Sequence, residues 1–325
     1  MRVLVTGGAG FVGSHLVDAH VARGDDVVVV DDLSTGRMEN IAAHVAGGRI
    51  RFHQGKAEDS AVLGPAFEGV DLVYHLAAAV GVFQILQYPL ASIRTNLEAS
   101  SAVFERAAAR SVRTVFTSTS EVYGKNVSDA LKEDDDTIYG PTKVRRWLYA
   151  VSKATDEFLA LAYHQELGLP VTVVRLFNTT GPRQTGAYGM VVPRFVRQAI
   201  EGQPLTVYGD GGQLRCFTNV HDVVAALMAL AATPAAIGEV VNVGNPREIS
   251  IRDLASLVCK IVGSNSPVQL IDYESAYGEG FEDMRRRVPD VSRLRSLIGF
   301  VPTTPLEETI EGIARDFTPE RHPLP

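Results

Sequence analysis

The sequence predicts an α/β fold, a doubly wound parallel sheet followed by a smaller mixed α/β unit. Three observations lead there. Short apolar runs alternate with helix-length stretches over about the first 180 residues; a glycine-rich turn joins the first run to the first helix; and the texture becomes richer in Gly and Pro after Asn178. Strands that are apolar at nearly every position suit a parallel sheet covered on both faces.

Taken in order, Arg2–Thr6 reads as the first strand and Phe11–Arg23 as the first helix. Asp26–Val30 and Leu72–His75 follow as strands, Asn96–Ala109 as a helix, and Thr114–Ser118 as a strand. A long helix is expected from about Arg145 to Leu167, then a strand over Val171–Leu176. His221–Ala232 reads as a helix returning to the first unit and Val240–Val243 as a further strand. The expected division is 1–177 plus 217–245 for the first unit and 178–216 plus 246–325 for the second, with Ile251–Val262 a helix of the latter.

Composition excludes several classes. With 31 Lys+Arg against 38 Asp+Glu the net charge is −7, which offers no basic footprint for nucleic acid or an anionic membrane. The longest apolar run, Val223–Ala232, is far below the ~18 residues of a spanning helix, and the first residues lack a signal-peptide pattern. Cys216 and Cys259 are distant and lack paired-ligand spacing, and the 8 histidines form no close pair, so neither disulfide nor metal is expected. A cytoplasmic protein fits these features.

The opening Val3-Leu4-Val5-Thr6-Gly7-Gly8-Ala9-Gly10-Phe11-Val12-Gly13 carries the first chemistry. Gly7, Gly10 and Gly13 lie between a strand and a helix, where glycines allow a tight turn and backbone N–H groups meet a pyrophosphate at the helix N-terminus. Asp31, 18 residues beyond Gly13, ends the next strand; a carboxylate there accepts from an adenosine ribose and repels a 2′-phosphate. The pattern predicts a Rossmann-like site for NAD, with Arg37 the one feature that points to NADP. Phe11, Val12, Asp32, Ser34, Leu76 and Ala77 complete the expected cofactor contacts.

Tyr149-x-x-x-Lys153 lies on the long helix, and residues four apart share a face. An ammonium beside a phenol favours the phenolate, so Tyr149 is expected to have a lowered pKa and to act as a base. Thr119, Ser120 and Glu121 follow a strand at the sheet edge where such folds bind ligands.

Together these residues resemble the extended short-chain dehydrogenase/reductases of the nucleotide-sugar epimerase, dehydratase and decarboxylase group. The resemblance covers nearly the whole chain. It implies that Thr119 and Tyr149 take the proton from a sugar 4-hydroxyl, that Lys153 binds the nicotinamide ribose, and that hydride passes from C4 to NAD. It also implies a UDP-sugar substrate and a homodimer built on two long helices per subunit.

Three chemistries share the 4-keto intermediate. Dehydratases of the group carry Asp-Glu after the Thr, where this chain has Ser120-Glu121. Thr-Ser-Glu matches the UDP-glucuronate decarboxylases, as do Arg146-Trp147-x-Tyr149, Arg215-Cys216-Phe217-Thr218, Asn242-Val243-Gly244-Asn245-Pro246 and Tyr277-Gly278-x-Gly280-x-x-Asp283. The resemblance places Arg287 at a substrate carboxylate or at the diphosphate, whereas its run Arg285-Arg286-Arg287 alone reads as surface charge. It further implies that Asn178 donates to the diphosphate, Arg215 pairs with it, and Thr206 and Tyr208 flank the uracil beside Val192. His221 and Asp222 read as helix caps. The expected activity is UDP-glucuronate decarboxylation, with C4 epimerisation and a non-catalytic NAD sensor as alternatives.

Overall fold

The computed structural model describes residues 1–79, 88–186, 190–272 and 284–317. Its centre is a parallel sheet of seven strands: β1 (Arg2–Thr6), β2 (Asp26–Asp31), β3 (Ile50–Gln54), β4 (Leu72–His75), β5 (Arg113–Thr119), β6 (Val171–Leu176) and Val240–Val243. Their order across the sheet is β3-β2-β1-β4-β5-β6 and then Val240–Val243. The winding reverses between β1 and β4, which pair Thr6 with His75. Crevices at such a reversal, beyond the carboxyl ends of the strands, bind ligands.

The apolar runs of β1 and β2 split by period 2 between two cores. Val3, Val5, Val27 and Val29 face Leu16 and Val17 of the Phe11–Arg23 helix and Val223, Leu227 and Leu230 of the Val220–Ala232 helix. Leu4, Val28 and Val30 face Leu63 and Phe67 together with Val103 and Phe104. Each such aliphatic side chain, fully withdrawn from water, contributes roughly 1.5–3 kcal/mol. The sheet is therefore covered on both faces, as its composition predicts.

A separate core joins the Val191–Ile200, Ile251–Val262 and Leu306–Asp316 helices through Phe195, Val196, Leu254, Val258 and Ile310. Strand Leu205–Tyr208 pairs with Val268–Ile271 beside it. The Ser292–Ile298 helix buries Leu294 in the core of the large sheet.

Several boundaries differ from the sequence expectation. Strand β3 is an edge strand with one buried residue, Ile50, so no apolar run announces it. The helix expected from Asn96 starts at Pro89, a residue suited to the first turn of a helix because it has no N–H to satisfy. The helix expected from Arg145 starts at Leu148, after the tighter turn Arg145–Trp147. The cap of the Val220–Ala232 helix is Asn219, whose Oδ1 accepts from His221 N (2.8 Å). Asp222 instead accepts from the Thr303 and Thr304 amides (3.0 and 2.9 Å), tying down a distant loop. Both cysteines are free.

Behind the carboxyl edge lies a buried ion pair. Arg175 of β6 donates through Nη2 and Nε to Glu157 of the Leu148–Leu167 helix (2.7 and 3.0 Å) and lies over the Tyr123 ring. Ser118 of β5 donates to the same carboxylate. Arg175→Leu strands that carboxylate without its cation, and a loss of about 3–5 kcal/mol is expected in urea unfolding; a loss below about 1 kcal/mol would contradict this account.

Candidate active site

A cleft of about 780 Å³ opens at the carboxyl edge of the sheet and runs from the glycine turn to the second core. Its volume suits a drug-sized or cofactor-sized ligand. The first wall is the turn after β1. Gly7 has φ +73°, and a Cβ there would lie 2.8 Å from Ala77 N. A Cβ on Gly13 would collide with the Gly7 carbonyl oxygen. Gly10 starts the Phe11–Arg23 helix with no side-chain cap, so first-turn N–H groups remain available to an acceptor in the cleft.

Gly7, Gly10, Phe11, Val12, Gly13, Asp31, Asp32, Ser34, Leu76 and Ala77 all line this cleft. Asp31 accepts from Ala9 N (2.9 Å) and Leu33 N (2.8 Å), which pins the glycine turn to the end of β2. Burial raises its pKa against those two hydrogen bonds. Asp32 accepts from Ser34 N (2.9 Å). A glycine cradle, an uncapped helix start and a carboxylate at the end of β2 fit the pyrophosphate and ribose of NAD. Arg37 lines the same end of the cleft.

The catalytic candidates line the middle of the cleft. Thr119, at the end of β5, accepts from Glu121 N (3.2 Å) and caps the turn Ser120–Tyr123. Tyr149 falls in the first turn of its helix and Lys153 one turn later, buried. Among the protein's own groups, the expected lowering of the Tyr149 pKa does not occur. Burial raises the phenol, and the carboxylates of Glu121 and Asp156 push it the same way. The Lys153 ammonium, meanwhile, sits 3.5 Å from Asp156.

Glu121 is gripped from two sides, by Arg146 Nη1 (2.5 Å) and Arg287 Nη2 (2.6 Å). Burial alone would raise its carboxyl; the two guanidinium groups outweigh that and hold it well below the ordinary carboxylate range. Glu121 is thus an ion at neutral pH, and its proton affinity is too low for it to serve as a base. Arg287 is buried, which overturns the surface-charge reading of its run, and among the described residues its Nε has no hydrogen-bond partner. Arg286, next to it, pairs outside the cleft with Glu248 and Asp129.

Arg146, part of the Arg146-Trp147-x-Tyr149 motif, joins the site through its pairing with Glu121, a role that the motif alone does not announce. The signal was its position three residues before Tyr149; the tight turn Arg145–Trp147 carries its side chain back to Glu121.

Toward the second core, Asn178, Val192, Tyr208 and Arg215 line the cleft. Asn178 has φ +34° and gives one amide hydrogen to Cys216 O (2.7 Å). Arg215 donates to Leu214 O (2.8 Å). Arg194 lies over the Tyr208 ring at 4.3 Å, making a flat wall. Thr206, expected beside the uracil, is not among the residues that line the cleft. Its hydroxyl accepts from Gln198 (3.0 Å), its amide donates back to Gln198 (3.1 Å), and its carbonyl accepts from Arg194 (3.0 Å). The segment Tyr277–Asp283 lies outside the described residues. Among the described residues there is no cluster of metal-ligating side chains and no helix long and apolar enough to cross a membrane.

Comparison with known proteins agrees with this geometry. Residues 3–244 match the NAD dependent epimerase/dehydratase family. A UDP-N-acetyl-alpha-D-glucosaminuronate decarboxylase of Bacillus cytotoxicus is 39% identical over 317 residues, covering 97% of each chain. UDP-glucuronic acid decarboxylase 4 of Arabidopsis thaliana is 37% identical over 98% of this chain and 68% of its own. Among solved structures, UDP-glucuronic acid 4-epimerase of Bacillus cereus, in complex with UDP-glucuronic acid and NAD, superposes with a TM-score of 0.87 at 30% identity, covering 97% of this chain and 98% of that one.

If the glycine cradle holds NAD, Gly13→Ala protein purifies with little or no NAD while wild type retains it. Extraction and chromatographic assay of the bound nucleotide checks this; equal NAD content in a folded variant would contradict it.

Proposed function

The chain belongs to the NAD dependent epimerase/dehydratase family, and on that premise we propose that it decarboxylates a UDP-linked glucuronate-type sugar through a 4-keto intermediate. The observation that carries the reading is the cleft's charge at Glu121. Two buried guanidinium groups, Arg146 and Arg287, meet on one carboxylate there, so a second carboxylate, carried by the substrate, finds cationic donors in the same place. The Bacillus cytotoxicus and Arabidopsis relatives, both named as decarboxylases of UDP-linked uronates, support the same choice.

NAD supplies a hydride acceptor at its nicotinamide ring and a positive charge that opposes the upward pressure on the Tyr149 phenol. Thr119 and Tyr149 hold the sugar 4-hydroxyl, and Tyr149 takes its proton as the C4 hydride leaves. The product is a β-keto acid. Its C5–C6 bond breaks, the electron pair moves into the C4 carbonyl, and CO₂ departs before C5 is protonated. Arg287 binds the carboxylate at C6; the ionised Glu121 beside it repels the same carboxylate and favours its loss as a neutral gas. Lys153 holds the cofactor ribose, while Arg215 and Asn178 meet the diphosphate, and Tyr208 and Val192 meet the uracil.

The expected fold division, with 178–216 plus 246–325 forming the nucleotide-sugar unit, belongs to this reading except at Ser292–Ile298, whose Leu294 packs in the core of the large sheet. So does a homodimer through the Pro89–Ala109 and Leu148–Leu167 helices. Val151 and Phe158, seven residues apart on one helix face, are exposed there, Phe158 at 75%. A cytoplasmic location fits a UDP-sugar substrate.

Purified protein given UDP-glucuronate or its 2-acetamido counterpart is expected to yield a pentose nucleotide, followed by NMR. Conversion to the C4 epimer with C6 intact would favour the epimerase reading, and inertness of the NAD-loaded protein toward both uronates would overturn the proposal. Glu121→Gln is expected to slow CO₂ release at least about tenfold more than C4 oxidation, the loss of a charged interaction of ~1.4 kcal/mol or more. Equal losses in both steps would remove its separate role.

A further inference from the structure

We propose that Asp156 is the buried counter-charge of Lys153, a positioning residue that keeps the lysine ammonium charged and aimed beneath the cleft. Both side chains are almost entirely withdrawn from water, at 2% and 0% exposure, with Nζ and Oδ2 3.5 Å apart. Lys153 Nζ also lies 4.0 Å from the centre of the Phe116 ring, so an apolar surface closes the site on the β5 side.

The geometry leaves Lys153 as the group that answers Asp156. Both Asp156 carboxyl oxygens are buried and neither has a hydrogen-bond partner among the described residues, while Lys153 Nζ lies 3.5 Å from Oδ2. A polar chain approaches from the sheet: the Ala77 backbone N–H donates to Thr6 Oγ1 (3.3 Å), Thr6 Oγ1 meets His75 Nδ1 (2.7 Å), and His75 Nε2 meets Ser100 Oγ (3.2 Å). Burial raises the Asp156 carboxyl, and Lys153 and Ser100 lower it. A buried carboxylate without hydrogen bonds is costly unless an opposite charge stands beside it, which is the place that Lys153 Nζ takes.

The surrounding charges are consistent with this assignment. His75, from β4, is neutral because burial, reinforced by the Lys153 charge, pushes it down to about 3. Glu157, one residue on, is committed to Arg175 of β6 and to Ser118 of β5. Glu121 is committed to its two arginines. Burial disfavours the charged form of both Lys153 and Asp156, and each is the other's largest compensating charge. Asp156 also raises the Tyr149 phenol, so the pair trades some phenol acidity for a lysine that stays charged.

The test is a titration of the six lysines of the NAD-loaded protein, labelled at Cε and followed by NMR, with Lys153 identified from the Lys153→Arg spectrum. In wild type, Lys153 is expected to be charged at pH 7.5; a neutral Lys153 would overturn the proposal without any further variant. In Asp156→Asn its midpoint is expected to fall by about one pH unit or more, and Asp156→Glu is expected to restore most of the shift. The alkaline limb of the C4-oxidation rate should move down in pH with it, whereas a merely structural role would lower the rate at every pH alike. An unmoved midpoint in folded Asp156→Asn would also overturn the proposal. The kinetic limb rests on the function proposed above, but the titration is read without substrate, so an error in the substrate class leaves it intact.

Discussion

The grip of Arg146 and Arg287 on Glu121 is the constraint around which the cleft is assembled. Its three members come from separate places: the turn after β5, the tight turn before the long helix, and the short strand Arg286–Arg287. That strand pairs in parallel with Leu214–Cys216, so Arg287 and Arg215 stand side by side in register. One buried charge cluster therefore joins the edge of the large sheet to the elements that carry the proposed nucleotide-sugar contacts. Removing either arginine leaves a carboxylate in a desolvated place with half its compensation, which is why such clusters fix geometry as well as charge.

The same economy of buried charge runs behind the cleft. Lys153, Asp156 and Glu157 follow one another closely on a single helix and lie among apolar side chains. Asp156 is answered by Lys153 on the same helix, and Glu157 by Arg175 of β6 and Ser118 of β5. The helix that carries Tyr149 is held to β5 and β6 through Glu157, and to the Pro89–Ala109 helix by Asn96, which donates to Ser152 Oγ (3.4 Å), in addition to its apolar packing. A phenol proposed to move a proton needs a position fixed within a fraction of an ångström, and these contacts hold its helix in place.

Much of this was legible in the sequence, for a physical reason. The glycine turn, the acid after β2, the Tyr/Lys pair and the hydroxyls after β5 are local patterns whose geometry follows from strand and helix periods. What was not legible depends on distant partners. Arg146 becomes a site residue only because Glu121, 25 residues earlier, lies opposite it. Thr206 leaves the site because Gln198 occupies its polar groups. The Tyr149 phenol moves up rather than down because burial disfavours the phenolate and the carboxylates of Glu121 and Asp156 push the same way, while the Lys153 ammonium is turned toward Asp156. Strand β3 escaped because an edge strand needs little apolar sequence.

The central claim is that two buried arginines around one carboxylate make a receptor for a sugar that brings its own carboxylate. The most direct measurement is calorimetric binding of UDP-glucuronate and UDP-glucose to NAD-loaded Tyr149→Phe protein, which holds substrate without turnover. The account predicts that the uronate binds about tenfold or more tightly, the size of one charge-assisted hydrogen bond, and that Arg287→Leu abolishes the difference. Equal affinity for the two sugars, or a preference that survives loss of Arg287, would contradict it.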